Sequence, residues 1–307
     1  MKKILVTGGA GFIGSHIVDR LISEGYLVSV IDNLSSGNKK NLNSKAKFYK
    51  TDICSSKISN IFKKEKPDFV FHFAGHIEAR ESAKDPIFDA KTNILGSLNI
   101  LENCHAYNVK KIMFASSGGE VYGDAFKIPT PELLSPNPIS PYGIAKLAVE
   151  KYLYSYYKLF KIPYVVLRFG NVYGPRQNPN GEAGVIAIFI SKILKKETLF
   201  IHGDGKQKKD YIFIEDAVNA VIRAFKKDFT GIVNVGTQKE TSVLEILHKI
   251  KKMTNSNIKE KHIPMPAVGF KRGCLSIKKI KKELNWQPKF NFEKGLEKTV
   301  KWFENEQ

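Results

Sequence analysis

Three features of the sequence predict an α/β protein built on a doubly wound parallel sheet. Short β-branched and apolar runs alternate with amphipathic stretches through the first half of the chain, as they do in βαβ units. The glycine-rich turn Gly8-x-x-Gly11-x-x-Gly14 directly follows the first of these runs. Beyond Gly170, prolines and glycines divide the chain into shorter segments. We therefore predict a Rossmann-type domain over residues 1–170 and a smaller α/β substrate-binding domain over residues 171–307, interleaved with the first at the sheet edge.

The individual elements are assigned from the hydrophobic periodicity and from the positions of glycine and proline. Six parallel strands are expected, at residues 3–6, 27–31, 47–49, 69–71, 111–115 and 164–168. Helices are expected between them at residues 12–24, 58–64, 87–106 and 142–160. In the second part, helices are expected at residues 185–194, 216–225, 243–253, 277–284 and 293–303.

Composition excludes several classes of protein. With 307 residues, 42% of them hydrophobic, the chain can bury a large core. No apolar run approaches the ~20 residues that a membrane span needs, and the apolar start is too short for a signal peptide, so a cytoplasmic protein is expected. The three cysteines are far apart and form no C-x-x-C pair, and the seven histidines match no ligand spacing, so neither disulfides nor a metal site are expected.

The formal net charge of +19 would suit a polyanionic ligand. The lysines, however, occur in small groups on many segments, without the interleaved aromatic residues that stack on bases. This distribution favours a solvated lysine-rich surface over a nucleic-acid face, with some attraction for an anionic substrate.

The glycine-rich turn predicts a dinucleotide site. Its glycines permit a tight turn, a close approach of the backbone to a pyrophosphate, and close packing of the helix on the sheet. Asp32 ends the next predicted strand, where a carboxylate accepts hydrogen bonds from ribose hydroxyls and repels a 2′-phosphate. NAD is therefore predicted in preference to NADP.

Two further segments are predicted to contact this cofactor. Asp52 and Ile53 follow the third strand and are placed to reach the adenine, although Asp52 could equally cap the helix that follows. Phe73, Ala74 and Gly75 follow the fourth strand, where small residues allow the cofactor to lie against the sheet edge.

A tyrosine and a lysine provide the predicted reacting groups. Ser140 and Pro141 resemble an N-cap and first helical position, which places Tyr142 and Lys146 one turn apart on the same helix face. An ammonium beside a phenol, together with a positive nicotinamide, is expected to lower the pKa of Tyr142 from about 10 towards neutrality. Tyr142 could then accept a proton from a substrate hydroxyl while hydride moves to NAD.

At this point the chain is identified as similar to the extended short-chain dehydrogenases/reductases of the NAD-dependent epimerase/dehydratase family, and within it to the UDP-hexose 4-epimerases. The similarity extends over nearly the whole length. It rests on the residue 7–14 turn, on His72-Phe-Ala-Gly75, on Ser116-Ser-Gly-Gly-Glu-Val-Tyr-Gly123, on Tyr142 with Lys146, on Asn171-Val-Tyr-Gly-Pro-Arg176, on Gly203-Asp-Gly205 and on Asp210-Tyr-Ile212.

The resemblance implies that UDP-glucose and UDP-galactose are interconverted through a transient 4-keto sugar by a homodimer with tightly bound NAD. It implies a UDP-sugar site in which Asn171 and the backbone at Val185 and Ile186 hold the nucleotide and Arg272 binds the diphosphate. Asn93, Ser116 and Ser117 would line the nicotinamide and sugar side. The cofactor contacts that it implies also include Phe12, Ile13 and Asn33.

The chain departs from the family pattern at several positions. Gly118 stands where a serine or threonine usually hydrogen-bonds the reacting hydroxyl, so Ser117, or a water beside Gly118, is expected to provide that bond. Lys209 replaces a usual arginine, which keeps the charge but loses the bidentate fork. His202 stands near the uracil where an aromatic ring is common. Gly273 is expected to leave room at the sugar C2 substituent, so UDP-GlcNAc and UDP-GalNAc are expected as further substrates.

Two other functions remain open from the sequence. Glu120 before Val121 is typical of sugar-nucleotide 4,6-dehydratases and UDP-glucuronate decarboxylases, but its neighbour is Gly119 where dehydratases carry a general-acid aspartate. Glu120 could equally be a solvated or ion-paired loop residue. The high charge and Gly118 would also suit a non-catalytic NAD-binding protein with a nucleic-acid or protein partner.

Overall fold

A computed structural model describes residues 1–181, 184–265 and 272–306. Its strands are β1 Lys3–Thr7, β2 Leu27–Asp32, β3 Lys47–Lys50, β4 Phe69–His72, β5 Lys111–Ser117, β6 Tyr164–Phe169, β7 Asn171–Tyr173, β8 Leu199–His202, β9 Lys208–Phe213, β10 Gly231–Val235, β11 Glu240–Ser242, β12 Glu260–Ile263 and β13 Arg272–Gly273. Its helices are α1 Phe12–Ser23, α2 Lys57–Glu65, α3 Ala79–Lys84, α4 Pro86–Ala90, α5 Gly96–Ala106, α6 Gly118–Tyr122, α7 Pro141–Phe160, α8 Val185–Leu194, α9 Ile214–Lys226, α10 Val243–Met253, α11 Lys278–Leu284 and α12 Phe292–Asn305.

A parallel sheet of seven strands organises the molecule, in the order β10-β6-β5-β4-β1-β2-β3. The chain moves outward from β1 in both directions, so the strand order reverses between β1 and β4. In a doubly wound sheet a ligand crevice forms at this reversal, outside the carboxyl ends of the strands. The predicted Rossmann-type fold is therefore confirmed.

Successive side chains along a strand point to opposite faces of the sheet, and here both faces are buried. Ile4 and Val6 belong to a core that continues through α1 and α9 into the C-terminal part, whereas Leu5 points into a second core formed with α2, α5 and α7. Both faces are covered, as a parallel sheet requires.

The predicted count of six strands is wrong, because the second half of the chain supplies a seventh. β10 pairs in parallel with β6, and the adjoining helix α9 packs on the same sheet. Gly231-Ile-Val-Asn-Val235 lies among loops and was not recognised as a strand. The two parts of the chain thus share one sheet.

The smaller part contains two further sheets. In one, β9 pairs with β7, β11 and β13, and in the other β8 pairs with β12. Residues of β7, β8, β9 and β12, together with residues of α8, α10 and α12, line the same cleft as the carboxyl ends of the large sheet's strands. These short strands were not predicted.

The predicted helix over residues 87–106 is divided. It consists of α4, a π-helical turn at Lys91–Leu95 that contains Asn93, and α5. Such turns are rare in proteins, and many of those that occur lie at functional sites. Within the described ranges, no helix combines the length and the hydropathy needed to cross a membrane.

Candidate active site

A large cleft, of about 1630 Å³, opens at the carboxyl edge of the seven-stranded sheet. It brings together most of the residues predicted from the sequence, namely Gly8, Gly11, Phe12, Ile13, Gly14, Asp32, Asn33, Asp52, Ile53, Phe73, Ala74, Gly75, Ser116, Ser117, Tyr142, Lys146, Asn171, Val185, Ile186, His202 and Lys209. Asn93, Gly118 and Arg272 are not among its lining residues.

The glycine-rich turn is packed so closely that side chains are excluded from it. Gly8 has φ +71°, a left-handed conformation that favours glycine. A Cβ atom on Gly14 would lie 2.1 Å from the carbonyl oxygen of Gly8. The start of α1 therefore sits directly against the end of β1, and its first residues, Phe12 and Ile13, line the cleft. This cradle fits a pyrophosphate.

Asp32 fixes the rim of the same cradle. Its Oδ2 accepts a hydrogen bond from the Ala10 N–H at 2.9 Å and its Oδ1 accepts one from the Leu34 N–H at 2.8 Å. A carboxylate has about four acceptor positions, so two backbone bonds leave capacity for the hydroxyls of a ribose. The remaining acceptor positions of Asp32 therefore fit the ribose of the adenosine half of NAD.

Asn33 and Asp52 form one side of this end of the cleft. Asn33 Nδ2 donates to Asp52 Oδ2 at 2.7 Å, and Asp52 Oδ1 accepts from the Cys54 N–H at 2.8 Å. Helix α2 begins at Lys57, after Ser56, so Asp52 is not its N-cap. Asp52 instead makes a local turn and remains on the cleft wall.

His72 connects the end of β4 to the helix behind it. Ser97 Oγ donates to the carbonyl of Asn93 at 2.5 Å, so His72 Nε2 must donate to Ser97 Oγ, 2.8 Å away. His72 Nδ1 then accepts from Thr7 Oγ1 at 2.7 Å. Burial lowers the pKa of His72 to about 3, which keeps the ring neutral. This relay holds the Phe73–Ala74–Gly75 segment in place.

Tyr142 and Lys146 lie together on α7, as predicted. Ser140 Oγ accepts from the Gly143 N–H at 3.1 Å and Pro141 occupies the first helical position. Lys146 Nζ is 5.6 Å from the centre of the Tyr142 ring, is 4.9 Å from that of Phe114, and donates to the Ala115 carbonyl at 3.1 Å. Both side chains face the cleft.

The protein's own groups raise the pKa of Tyr142, whereas the predicted lowering included the positive charge of a bound nicotinamide. Burial is the largest cause, followed by the charges of Glu120 and Asp89, while the Ser117 hydroxyl acts the other way. Burial also lowers the pKa of Lys146 to about 8, against the charges of Asp89 and Glu150. The prediction counted the cations around the phenol and missed the two carboxylates.

Ser117, rather than Gly118, contacts the phenol. Ser117 ends β5, caps α6, lines the cleft beside Tyr142, and its hydroxyl acts to lower the pKa of that phenol. A Cβ on Gly118 would lie 2.6 Å from Leu275 Cδ1, so Gly118 packs against the C-terminal part and not on the cleft. It lines a small second pocket with Gly273, and this pocket meets the cleft at Gly119, Gly170 and Asn171.

A buried ion pair lies beneath these groups. Arg168 donates through Nε and Nη2 to the two carboxylate oxygens of Glu150, at 2.9 and 2.5 Å. Ser116 Oγ donates to Glu150 Oε1 at 2.6 Å. The end of β5 is thus tied to α7 one turn beyond Lys146.

The opposite wall of the cleft carries the predicted nucleotide contacts. Asn171 and the first residues of α8, Val185 and Ile186, line it together with His202 and Lys209. Arg272 lies elsewhere: its guanidinium is exposed and pairs with both carboxylate oxygens of Glu240, each at 2.7 Å.

Two charged residues of the site were missed. Arg80 lines the cleft from α3, and its Nη1 donates to His202 Nε2 at 3.2 Å across it. Arg80 is the first arginine or lysine after the fourth strand, so its position in the sequence could have indicated a place in the cleft. Asp89 is fully buried and accepts bonds from His76 Nδ1 and Asn93 Nδ2, at 3.0 and 2.8 Å. Nothing in its local sequence indicated this place.

Asn93 lies behind Gly75, and its Oδ1 accepts from the His76 N–H at 2.9 Å. A Cβ on Gly75 would lie 2.6 Å from that oxygen and 3.3 Å from Lys146 Nζ. Asn93 therefore supports the cleft wall from below. Over residues 1–181, 184–265 and 272–306, no cluster of histidine, cysteine and carboxylate side chains could hold a metal ion.

Comparison with known proteins agrees with this geometry. The model of the NAD-dependent epimerase/dehydratase family matches residues 4–236. A UDP-glucose 4-epimerase of Mycolicibacterium smegmatis is 39% identical over 309 residues, covering 99% of each chain.

Two solved structures are similar over almost the full length. The UDP-glucose 4-epimerase of Thermotoga maritima with UDP-glucose has a TM-score of 0.97, 44% identity and 99% coverage of both chains. That of Thermus thermophilus in complex with NAD has a TM-score of 0.95 and 38% identity, covering 98% of this chain and 99% of the other.

Proposed function

Because the chain belongs to the NAD-dependent epimerase/dehydratase family, we propose that it interconverts UDP-glucose and UDP-galactose by inverting the configuration at C4. One observation carries the proposal. Tyr142, Lys146 and Ser117 lie together in the same cleft as the glycine-rich turn and Asp32. A phenol and its partners at one end and a dinucleotide cradle at the other suit the oxidation and re-reduction of one sugar hydroxyl.

Each residue has a defined part in this chemistry. Bound NAD supplies a hydride acceptor at the sugar C4. Tyr142 accepts the C4 hydroxyl proton and later returns it, and Ser117 donates a hydrogen bond to the same oxygen. The Lys146 ammonium stabilises the phenolate. The cleft must also allow the 4-keto sugar to rotate, so that hydride returns to the opposite face of C4 while Tyr142 returns the proton to O4.

The site is less suited to 4,6-dehydration. That reaction needs a second acid–base pair, and Gly119 provides no side chain beside Glu120. Glu120 itself accepts a hydrogen bond from Ser140 Oγ at 2.6 Å. This observation favours epimerisation.

The proposal is tested by identifying products. We expect NMR of reactions with UDP-galactose and UDP-glucose to show the two hexoses approaching a common equilibrium. UDP-GlcNAc belongs in the same panel because the sequence predicts room for a C2 substituent at Gly273, although the structure places Gly273 in the small second pocket rather than on the cleft. A 6-deoxy-4-keto sugar, or a pentose from UDP-glucuronate, would contradict the assignment. Tight NAD binding without turnover would support the non-catalytic alternative.

The diphosphate is proposed to bind between Lys209 and Arg80. Both line the cleft, and the charge of Arg80 lowers the pKa of Lys209 in addition to the larger effect of burial. His202 Nδ1 donates to the Pro264 carbonyl at 3.2 Å, so its Nε2 accepts from Arg80. The cleft thus holds a guanidinium fork on α3, while Arg272 is engaged with Glu240.

We expect Arg80→Ala to raise the KM for UDP-galactose by about 10- to 100-fold with little change in kcat, because a charged hydrogen bond contributes about 1.5–3 kcal/mol. Steady-state kinetics would measure both constants. Arg272→Ala is the matched comparison and should change KM less than threefold. A larger effect at Arg272 than at Arg80 would assign the diphosphate to Arg272.

A homodimer is proposed through α7 and the helical segment that runs from α4 through the π-helical turn to α5. Ile87 and Leu95 are spaced by eight residues and are 80% and 59% exposed, and Ile144 on α7 is 53% exposed. Exposed apolar side chains in line on neighbouring helices are typical of a subunit interface. A two-fold axis would place the same helices of a second copy against them.

We expect Leu95→Glu to convert the dimer to a monomer, since a carboxylate would be buried without a partner. Sedimentation velocity would measure this, with NAD binding as a check of folding. Leu133→Glu, at a leucine that is 98% exposed elsewhere, is the control and should not dissociate the dimer. A Leu95→Glu protein that sediments like the native one would disprove this interface.

A further inference from the structure

A short helix joins the reacting phenol to the start of its own helix. Ser117 caps α6 and lies in the cleft beside Tyr142, on whose pKa its hydroxyl acts, and the Glu120 N–H donates to the same Ser117 Oγ at 3.3 Å. Ser117 is therefore held by the backbone of Glu120. The orientation of the hydroxyl that meets the phenol depends on where α6 lies.

The side chain of Glu120 fixes α6 against α7. Its Oε2 accepts from Ser140 Oγ at 2.6 Å, and Ser140 Oγ in turn accepts from the Gly143 N–H at 3.1 Å. A single hydroxyl thus caps α7 and bonds to α6. The Ser140 side chain belongs to a fully buried residue, so water does not compete for this bond.

The backbones approach closely at the same point. A Cβ on Gly143 would lie 2.3 Å from the Glu120 carbonyl oxygen, so only glycine permits this contact. Gly143 directly follows Tyr142 in the first turn of α7. Side-chain and backbone contacts of Glu120 therefore both act on the turn that carries the phenol.

From these contacts we propose that Glu120 is a positioning residue for Tyr142, which holds the phenol at Ser117 and sets the charge around it. The inference rests on the proposed function, and it assigns Glu120 a part in epimerisation that does not require it to act as an acid or base.

The charges that face Tyr142 come from every neighbouring element. Glu120 on α6 and Asp89 on α4 disfavour the phenolate, and the Lys146 ammonium on α7 lies 5.6 Å from the ring centre. His76 is bonded to Asp89, and Lys209 on β9 senses the charge of Glu120. Of these charged groups, Glu120 is the one that also contacts Ser117, Ser140 and Gly143, and so acts on the position of the phenol.

Glu120→Gln separates charge from geometry, because a glutamine oxygen can still accept from Ser140. We expect the pKa of Tyr142 in the NAD-bound protein to fall by about one pH unit in this variant. Carbon-13 NMR of labelled tyrosine would measure it, with Tyr142→Phe identifying the signal among the 12 tyrosines. Glu24→Gln, which removes a carboxylate that is paired with Arg20 and Lys226 outside the cleft, is the control. An unchanged pKa in Glu120→Gln would overturn the inference.

The geometric part is tested by kinetics. We expect Glu120→Ala and Ser140→Ala each to lower kcat about tenfold with KM within twofold. The kcat of the double variant should be no lower than that of the slower single variant, since all three lose the same Glu120–Ser140 hydrogen bond. Losses that multiply would overturn the proposal. If the native protein turns over no UDP-hexose, the proposed function fails, and the NMR measurement still decides the role of Glu120.

Discussion

Tyr142→Phe is expected to lower kcat for UDP-galactose by about 10²- to 10⁴-fold, the usual contribution of a positioned acid–base group. The substitution removes only the hydroxyl oxygen. The ring would keep its place beside Lys146 and Phe114, so the cleft and its NAD site should persist. Coupled measurement of UDP-glucose formation would give kcat, and NAD content would report binding.

Tyr164→Phe is a suitable control for this measurement. Tyr164 is also buried, but it is the first residue of β6 and so lies at the amino ends of the strands, away from the cleft at their carboxyl ends. It should retain native activity. If Tyr142→Phe interconverted the sugars at the native rate, Tyr142 would not be the proton carrier and the proposed chemistry would fail.

Local patterns explain what the sequence could predict about this site. The spacing of Gly8, Gly11 and Gly14 and the four-residue step from Tyr142 to Lys146 are properties of one turn and one helix, so they do not depend on distant contacts. Asp32 was predictable because it ends a strand beside β1.

Other assignments required contacts that are distant in the sequence. Arg272 pairs with Glu240 because β13 and β11 flank β9, an arrangement of short strands that no periodicity reveals. Gly118 points at Leu275, from the other end of the chain.

The protein's own effect on the pKa of Tyr142 was not predicted, for the same reason. Glu120 and Asp89 reach the phenol through the packing of α4 and α6 around α7, and burial adds a larger effect. Residue spacing on the face of α7 identifies only Lys146 among the protein's charges near the phenol. Because the net field in the protein opposes ionisation, the proposed reaction depends on the charges of the bound cofactor and on Ser117 to bring the phenol into its working range.

The glycine-rich turn should be the most sensitive part of the cofactor site. In Gly14→Ala the new Cβ would lie 2.1 Å from the Gly8 carbonyl oxygen and 2.8 Å from its carbon, so α1 must move away from β1 or the turn must open. Either movement displaces the N–H groups that face a pyrophosphate. Overpacking of this kind costs about 1–3 kcal/mol, and if it appears in binding it weakens NAD affinity by about 5- to 150-fold.

A graded series would distinguish this cause from general destabilisation. In Gly11→Ala the added Cβ is 3.1 Å from the same oxygen, so a smaller loss of affinity is expected. Gly25→Ala places a Cβ in open space but at φ +85°, and should lower the melting temperature without changing NAD affinity. Titration of NAD into stripped protein would rank the three variants. Native NAD affinity in Gly14→Ala would mean that the turn does not hold the pyrophosphate, because the added Cβ must displace the turn and a displaced turn could not keep its contacts with the ligand.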